Sequence, residues 1–143
     1  MNKKLRGGRA SELMVAGELL RRGVDVYLPC VDDQAIDLVA RVEQQDTVKF
    51  YDLQVKSVAG YNRLLGVHPP PQGRESNCIL VIHYRHANRP DEFFYLRGDQ
   101  IAQHVIAGSS WGDLVFNKRE REKYGGQSLD HLARFLSGAG EGA

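Results

Sequence analysis

The order of the predicted helices and strands identifies this chain as an α/β protein with a mixed sheet packed between helices. Three features of this order predict the class. The chain begins with an amphipathic helix, continues with a three-strand meander, and then adds an apolar strand, another strand and two helices. Its 143 residues, 42% of them hydrophobic, suffice for one compact domain with its own core. We therefore expect residues 1–143 to form a single domain.

Each element has a local signal in the sequence. The first helix has Leu13, Ala16 and Leu19 on one side and ends before Gly23. Cys78–Tyr84 is apolar almost throughout, which is typical of a buried central strand. The predicted helices are residues 9–22, 100–106 (capped by Asp99) and 127–136. The predicted strands are residues 24–29, 36–43, 48–58, 78–84 and 92–96, with 111–116 as a short strand or a loop. Glycines and prolines predict a loop over residues 59–77.

Charge and composition exclude some classes of protein. The formal net charge is +1, so any attraction for phosphate has to come from local patches. The longest apolar run is far too short to span a bilayer, and no signal-peptide core follows Lys3 and Lys4. Cys30 and Cys78 lack metal-site spacing and are expected to be small buried thiols. These observations predict a cytoplasmic protein with no membrane partner.

An acidic residue and a polar strand face suggest a site for chemistry. Asp37 lies inside an apolar strand, and Asp52, Gln54 and Lys56 share one face of the next strand, because strand side chains alternate. An acid, a divalent metal and an ammonium group together can activate water and neutralise negative charge, which points to cleavage of DNA or RNA. The alternative is an acid and a lysine on a solvated strand face, which is common.

Glu12 has two interpretations. At helical spacing it shares a face with Val15, Ala16 and Leu19, where an unpaired carboxylate is costly. It then either points over the sheet toward a metal or Lys56, or is an acid in the first helical turn that the helix dipole favours. His83 and His86 have no third ligand at zinc-site spacing, so we expect them to be structural.

Four segments together resemble the PD-(D/E)XK nuclease superfamily, in particular its small branches with Holliday-junction resolvase-like and intron-type endonucleases. They are Arg9-Ala-Ser-Glu12, Val15-Ala-x-x-Leu-Leu-x-x-Gly-x-x-Val26, Ile36-Asp37-Leu-Val and Leu53-Gln54-Val-Lys56-Ser, within residues 6–58. The resemblance implies a restriction-endonuclease-like sandwich with a central mixed β-sheet flanked by helices. It also implies Mg²⁺, or Mn²⁺ as a substitute, held by Asp37, Gln54 and Glu12, with Lys56 as the catalytic lysine.

The sequence departs from the superfamily pattern at two positions. Ile36 precedes Asp37 where the pattern has proline, and Gln54 stands where it has Asp or Glu. An amide oxygen is a neutral ligand, so Gln54 would bind a metal less strongly than a carboxylate would. Two functions are therefore predicted: a metal-dependent endonuclease acting on DNA, or a catalytically impaired nuclease-fold protein that binds nucleic acid. A small interaction protein with a solvated strand face is the third alternative.

Several residues are candidates for contacting nucleic acid. The candidates are Lys3, Lys4, Arg6, Arg9, Tyr61 and Arg63. The first four belong to a basic arm, flexible over residues 1–8, that would follow a phosphate backbone and make binding salt-dependent. A solvated tail and a surface turn are the alternatives. Residues 138–143 are expected to be a disordered tail, and a homodimer is expected because cutting both strands of a duplex takes two sites.

Overall fold

The computed structural model describes residues 1–31, 35–61, 64–106 and 112–138. Its four α-helices are α1 (Lys3–Arg21), α2 (Gly98–His104), α3 (Lys118–Lys123) and α4 (Leu129–Leu136). Its strands are β1 (Asp25–Tyr27), β2 (Leu38–Gln44), β3 (Thr47–Ala59), β4 (Leu64–Val67), β5 (Cys78–Arg85), β6 (Glu92–Arg97), β7 (Val105–Ile106) and β8 (Gly112–Val115). A short 3₁₀ helix, Glu75–Asn77, precedes β5.

The central sheet has five strands in the order β1-β2-β3-β5-β6. The pair β3–β5 is parallel, from Asp52 beside Cys78 to Ala59 beside Arg85, and the other pairs are antiparallel. A parallel pair needs a crossover connection, which here contains β4 and the 3₁₀ helix. The mixed sheet confirms the predicted fold class.

Two apolar clusters cover the two faces of this sheet. On one face, α1 and α4 pack on odd-numbered residues of β3 and β5, such as Leu53 and Val81. On the other face, α2 and the small sheet β4-β8-β7 pack on even-numbered residues, such as Leu80 and Ile82. Strand alternation places Asp52, Gln54 and Lys56 on this second face, where each is half-buried. The prediction that they share a face is therefore confirmed.

The predicted flexible arm is instead the first part of α1. The helix starts at Lys3, and the Asn2 side-chain oxygen accepts the Lys4 N–H at 2.8 Å as an N-cap. Gly7 and Gly8 lie within the helix and do not end it. The expectation of a flexible segment gave these glycines too much weight and missed the cap. Residues 139–143 of the predicted tail lie outside the described residues.

Other differences between the predicted and the observed elements concern the chain from residue 59 onward. The predicted loop of residues 59–77 contains β4, which pairs with β8 and buries Leu65 and Val67 in the second cluster. Helix α2 begins after Arg97, so Asp99 lies in its first turn rather than at the cap. The mixed-charge segment of residues 118–123 is the helix α3. Trp111 lies outside the described residues.

Two further findings concern the cysteines and the helices. Both cysteines are free, but Cys30 is exposed, so the expectation that it is buried is wrong. Cys30 comes after β1 has ended and therefore has no sheet to cover it. Within the described ranges, no helix combines the length and the apolar character that crossing a bilayer requires.

Candidate active site

The site forms where β2 separates from β3. Their pairing ends at Leu38 beside Leu53, and the Asp37 N–H still donates to the Leu53 carbonyl at 2.9 Å. Strand β3 continues to Ala59. The next N–H on this side of β3 belongs to Val55, and it donates to Oδ2 of Asp37 at 2.7 Å. The Asp37 side chain thus replaces a strand partner, and its carboxylate is fixed beside the residue that separates Gln54 from Lys56.

Lys56 is electrostatically coupled to this carboxylate. Burial lowers the pKa of its ammonium group, the negative charge of Asp37 opposes that shift, and the positive charge of Lys4 adds to it. The ammonium is thus easier to deprotonate than that of a solvated lysine. Lys4 belongs to the first turn of α1, so the positive charge of this turn acts on Lys56.

Gln54 faces a cavity on the second face of the sheet. Its Oε1 accepts the His68 N–H at 3.3 Å, which orients the amide. The cavity, of about 360 Å³, is also lined by Asp52 and Arg74. Burial raises the pKa of the Asp52 carboxyl group, and Arg74 partly offsets this shift. Gln54 therefore lies on the same strand segment as Lys56 and also lines this cavity.

Glu12 forms an ion pair on its own helix. Its Oε2 lies 2.9 Å from Nη1 of Arg9, and its side chain is only 17% exposed. Glu12 thus lies next to Arg9, one of the residues predicted to contact the phosphate backbone. Part of the Arg9 charge is neutralised by Glu12, which leaves Lys3, Lys4 and Arg6 as the stronger candidates for phosphate contacts.

The remaining candidates for nucleic-acid contacts differ in their surroundings. Lys3, Lys4 and Arg6 are exposed on the first turns of α1. The Tyr61 residue is 41% exposed, and its hydroxyl group donates a hydrogen bond to Glu92. The centre of its ring lies 3.6 Å from the guanidinium carbon of Arg121. Tyr61 thus belongs to a polar cluster next to α3. Arg63 lies outside the described residues.

A buried array that sequence analysis missed holds α1 on the sheet. Ser11 Oγ lies 2.8 Å from Nδ1 of His83, and His83 Nε2 lies 2.7 Å from Oδ2 of Asp91. This hydrogen bond to His83 lowers the pKa of Asp91. Ser11 and His83 are 2% and 1% exposed, so substrate cannot reach this serine. The array instead anchors the turn of α1 that carries Glu12, and a lone histidine in an apolar strand was its one signal in the sequence.

The donors at the site suit a weakly held divalent ion. Asp37 and Gln54 offer a carboxylate and an amide oxygen, the hard ligands that Mg²⁺ prefers, whereas Glu12 is located by its ion pair with Arg9 on α1. Within the described part of the chain, no three His, Cys, Asp or Glu side chains form a group that could hold a metal. Proteins usually bind Mg²⁺ through one or two carboxylates, with waters and substrate phosphates completing the shell. The residues present fit an ion of this kind.

Comparisons with known proteins agree with the architecture. A bacterial homing endonuclease, I-Ssp6803I, superimposes with a TM-score of 0.52 at 17% identity, covering 82% of each chain. Hjc of Archaeoglobus fulgidus, a Holliday junction resolvase, gives a TM-score of 0.49 at 12% identity, covering 88% of this chain and 94% of its own. No family model and no curated protein matches. The similarity to the homing endonuclease confirms the predicted nuclease-type fold.

Proposed function

We propose that this chain is a metal-dependent endonuclease that hydrolyses DNA phosphodiester bonds. The observation that carries the proposal is the Asp37 carboxylate, fixed on the Val55 N–H between Gln54 and Lys56. It occupies a strand end on a fold shared with a homing endonuclease. Asp37, Gln54 and Glu12 would hold Mg²⁺, or Mn²⁺ in its place, and Lys56 would act on the attacking water.

Each residue has a separate task in this proposal. A bound divalent ion supplies Lewis-acid polarisation of the phosphate and lowers the pKa of a water. Asp37 contributes the anionic ligand, and the Val55 N–H fixes its orientation. Lys56 accepts a proton from the water or neutralises charge on the phosphate, and its lowered pKa favours the first role. Lys3, Lys4 and Arg6 hold the phosphate backbone next to the site.

A second candidate function is nucleic-acid binding without cleavage. The neutral amide of Gln54 favours it, because the described residues offer no group of three His, Cys, Asp or Glu side chains for a metal. Under this alternative the fold and the cations of α1 remain in use, whereas metal affinity falls too low for turnover. Under either function we propose a cytoplasmic protein that acts as a homodimer and whose partner is DNA.

A cleavage panel tests the proposal. Linear, nicked, branched and supercoiled DNA are incubated with the protein in Mg²⁺, in Mn²⁺ and in chelator, with Lys56→Ala as the control. The endonuclease predicts metal-dependent products that this variant does not form. Salt-sensitive binding without products would favour the second function. If the protein neither binds nor cleaves any of these DNAs, both proposed functions are overturned.

Gln54→Glu should raise metal affinity. Glutamate retains the oxygen that accepts the His68 N–H and adds a negative charge, so we expect Mn²⁺ to bind about tenfold more tightly or better. Isothermal titration calorimetry measures this change, and Gln103→Glu, on the exposed side of α2, is the matched control. Equal Mn²⁺ affinity in the wild type and Gln54→Glu would remove Gln54 from the proposed metal site.

Removing the cations of α1 should weaken DNA binding and its dependence on salt. If Lys3, Lys4 and Arg6 each contact one phosphate, the triple alanine variant should reduce the slope of log affinity against log salt by about 3. Fluorescence anisotropy of labelled duplex DNA at several salt concentrations measures the slope. The matched control removes Lys118, Arg119 and Lys123 of α3, which changes the net charge equally. Equal slopes in the two variants would contradict a specific role for α1.

A further inference from the structure

The cavity beside Gln54 has the size of a small-molecule site. Its volume of about 360 Å³ falls within the roughly 300–1,000 Å³ that is typical of such sites. Its floor is the parallel pair β3–β5, through Asp52, Gln54 and Cys78. The prolines 69–71 and Ile101 contribute apolar surface. An apolar slot with a few polar groups at its floor suits a flat, partly polar ring system.

Asp52 is an acidic group on the floor of this cavity. Within the described ranges, no hydrogen bond or salt bridge holds its carboxylate, although Arg74 acts on it through its charge. Asp52 is half-buried on the cavity floor, so its carboxylate has lost part of its contact with water. A ligand with two adjacent N–H groups would satisfy both carboxylate oxygens at once.

We propose that this cavity receives one unpaired guanine base of the substrate strand. Among the four bases of DNA, guanine presents two adjacent N–H donors, N1–H and N2–H, on its pairing edge, which match a carboxylate. Its ring faces would lie against the proline segment and Ile101. Gln54 lines the cavity and belongs to the proposed metal site, so the base lies next to the proposed chemistry.

This inference rests on the proposed function and narrows its substrate. A base inside a duplex reaches the cavity only by leaving its stack and its partner, which costs a few kcal/mol. Bases at junctions, nicks and single-stranded segments avoid much of that cost. The cavity therefore favours branched or interrupted DNA over intact duplex.

Cys78 provides a probe on the cavity floor. It lies beside Asp52 in the β3–β5 register, and the Cys30→Ser variant leaves it as the single thiol of the chain. Mass spectrometry measures the rate at which iodoacetamide modifies Cys78 in metal-free buffer, at a pH high enough to ionise this partly buried thiol. The DNA probes are thymine oligonucleotides that carry one central guanine, one hypoxanthine (which lacks the N2 amino group) or no substitution.

The guanine oligonucleotide should slow alkylation of Cys78 roughly tenfold, the lower end of what bidentate recognition of a base provides. Hypoxanthine should protect less, and thymine alone should leave the rate nearly unchanged. Asp52→Asn should abolish the difference between guanine and hypoxanthine, because an amide offers one acceptor in place of two. This variant removes a half-buried carboxylate that no hydrogen bond or salt bridge of the described residues holds, so we expect it to fold. Asp46→Asn, in the exposed hairpin turn, is the matched control.

Anisotropy of the same oligonucleotides separates the ways in which the inference can fail. Absence of binding to any of these oligonucleotides would overturn the inference, whereas the cleavage panel decides the proposed function. Binding with unchanged alkylation of Cys78 would overturn the inference alone. Equal protection by guanine and thymine, insensitive to Asp52→Asn, would show that the strand merely covers the cavity, and would also overturn it. Protection by guanosine monophosphate but by no oligonucleotide would assign the cavity to a free nucleotide instead.

Discussion

Replacing Lys56 with methionine should lower the cleavage rate by roughly 10²–10⁴-fold, the usual contribution of a positioned acid or base. Methionine retains most of the side-chain length and removes the ammonium group. Because burial already disfavours the charged form of Lys56, we expect the variant to fold as well as the wild type. Single-turnover cleavage of a saturating substrate measures the effect. Lys118→Met, on the exposed side of α3, should leave the rate unchanged.

The arginine variant separates two roles of Lys56. A guanidinium group supplies positive charge but does not release its proton near neutral pH. If Lys56 accepts a proton from water, Lys56→Arg should be as inactive as Lys56→Met. If Lys56 only neutralises charge, Lys56→Arg should retain much of the rate. Full activity in both variants would remove Lys56 from the chemistry.

The pH dependence of cleavage follows from the same pKa shift. Burial lowers the pKa of Lys56, so the neutral amine becomes available at lower pH than for a solvated lysine. A rate that depends on this amine should rise with pH and level off above the Lys56 pKa. A profile that falls over this range would contradict the role as a base.

Strand periodicity made part of this site readable in the sequence. Side chains on a strand alternate, so Asp52, Gln54 and Lys56 had to share a face once residues 48–58 were recognised as a strand. The hairpin before it also follows from local signals, namely two alternating segments around a polar turn. These features depend on near neighbours in the chain, which is why they could be predicted.

The contacts that complete the site are not local. The hydrogen bond between Asp37 and the Val55 N–H depends on where β2 stops pairing with β3, and no local pattern marks that point. Similarly, β4 is a strand because β8 supplies its partner from a distant part of the chain. The cavity exists because this second layer covers the face that carries Asp52 and Gln54.

Replacing Asp37 with asparagine should strongly reduce the cleavage rate and leave the fold nearly intact. Asparagine retains an oxygen that can accept the Val55 N–H, so its cost to stability should be small. The substitution removes the negative charge of the proposed metal ligand, so we expect the cleavage rate to fall by about 10²-fold or more. Single-turnover assays in Mg²⁺ and Mn²⁺ measure the loss, with Asp113→Asn, at an exposed position of β8, as the control.

The alanine variant shows what the hydrogen bond contributes. Asp37→Ala removes both the charge and the acceptor, so the Val55 N–H loses its partner at the end of the hairpin. We expect a loss of about 1–3 kcal/mol in the free energy of unfolding relative to Asp37→Asn, measured by urea denaturation. Equal stability of the two variants would mean that water replaces the carboxylate at no cost.

The Asn variant also tests the coupling between Asp37 and Lys56. The negative charge of Asp37 raises the pKa of Lys56 against the effect of burial. Asp37→Asn should therefore lower the pKa of Lys56 further, which heteronuclear NMR of the lysine side chain would detect. An unchanged pKa would show that Asp37 and Lys56 do not interact. The proposed metal ligand and the proposed base would then not belong to one site. Because this titration requires neither metal nor DNA, it tests the geometry of the site independently of cleavage.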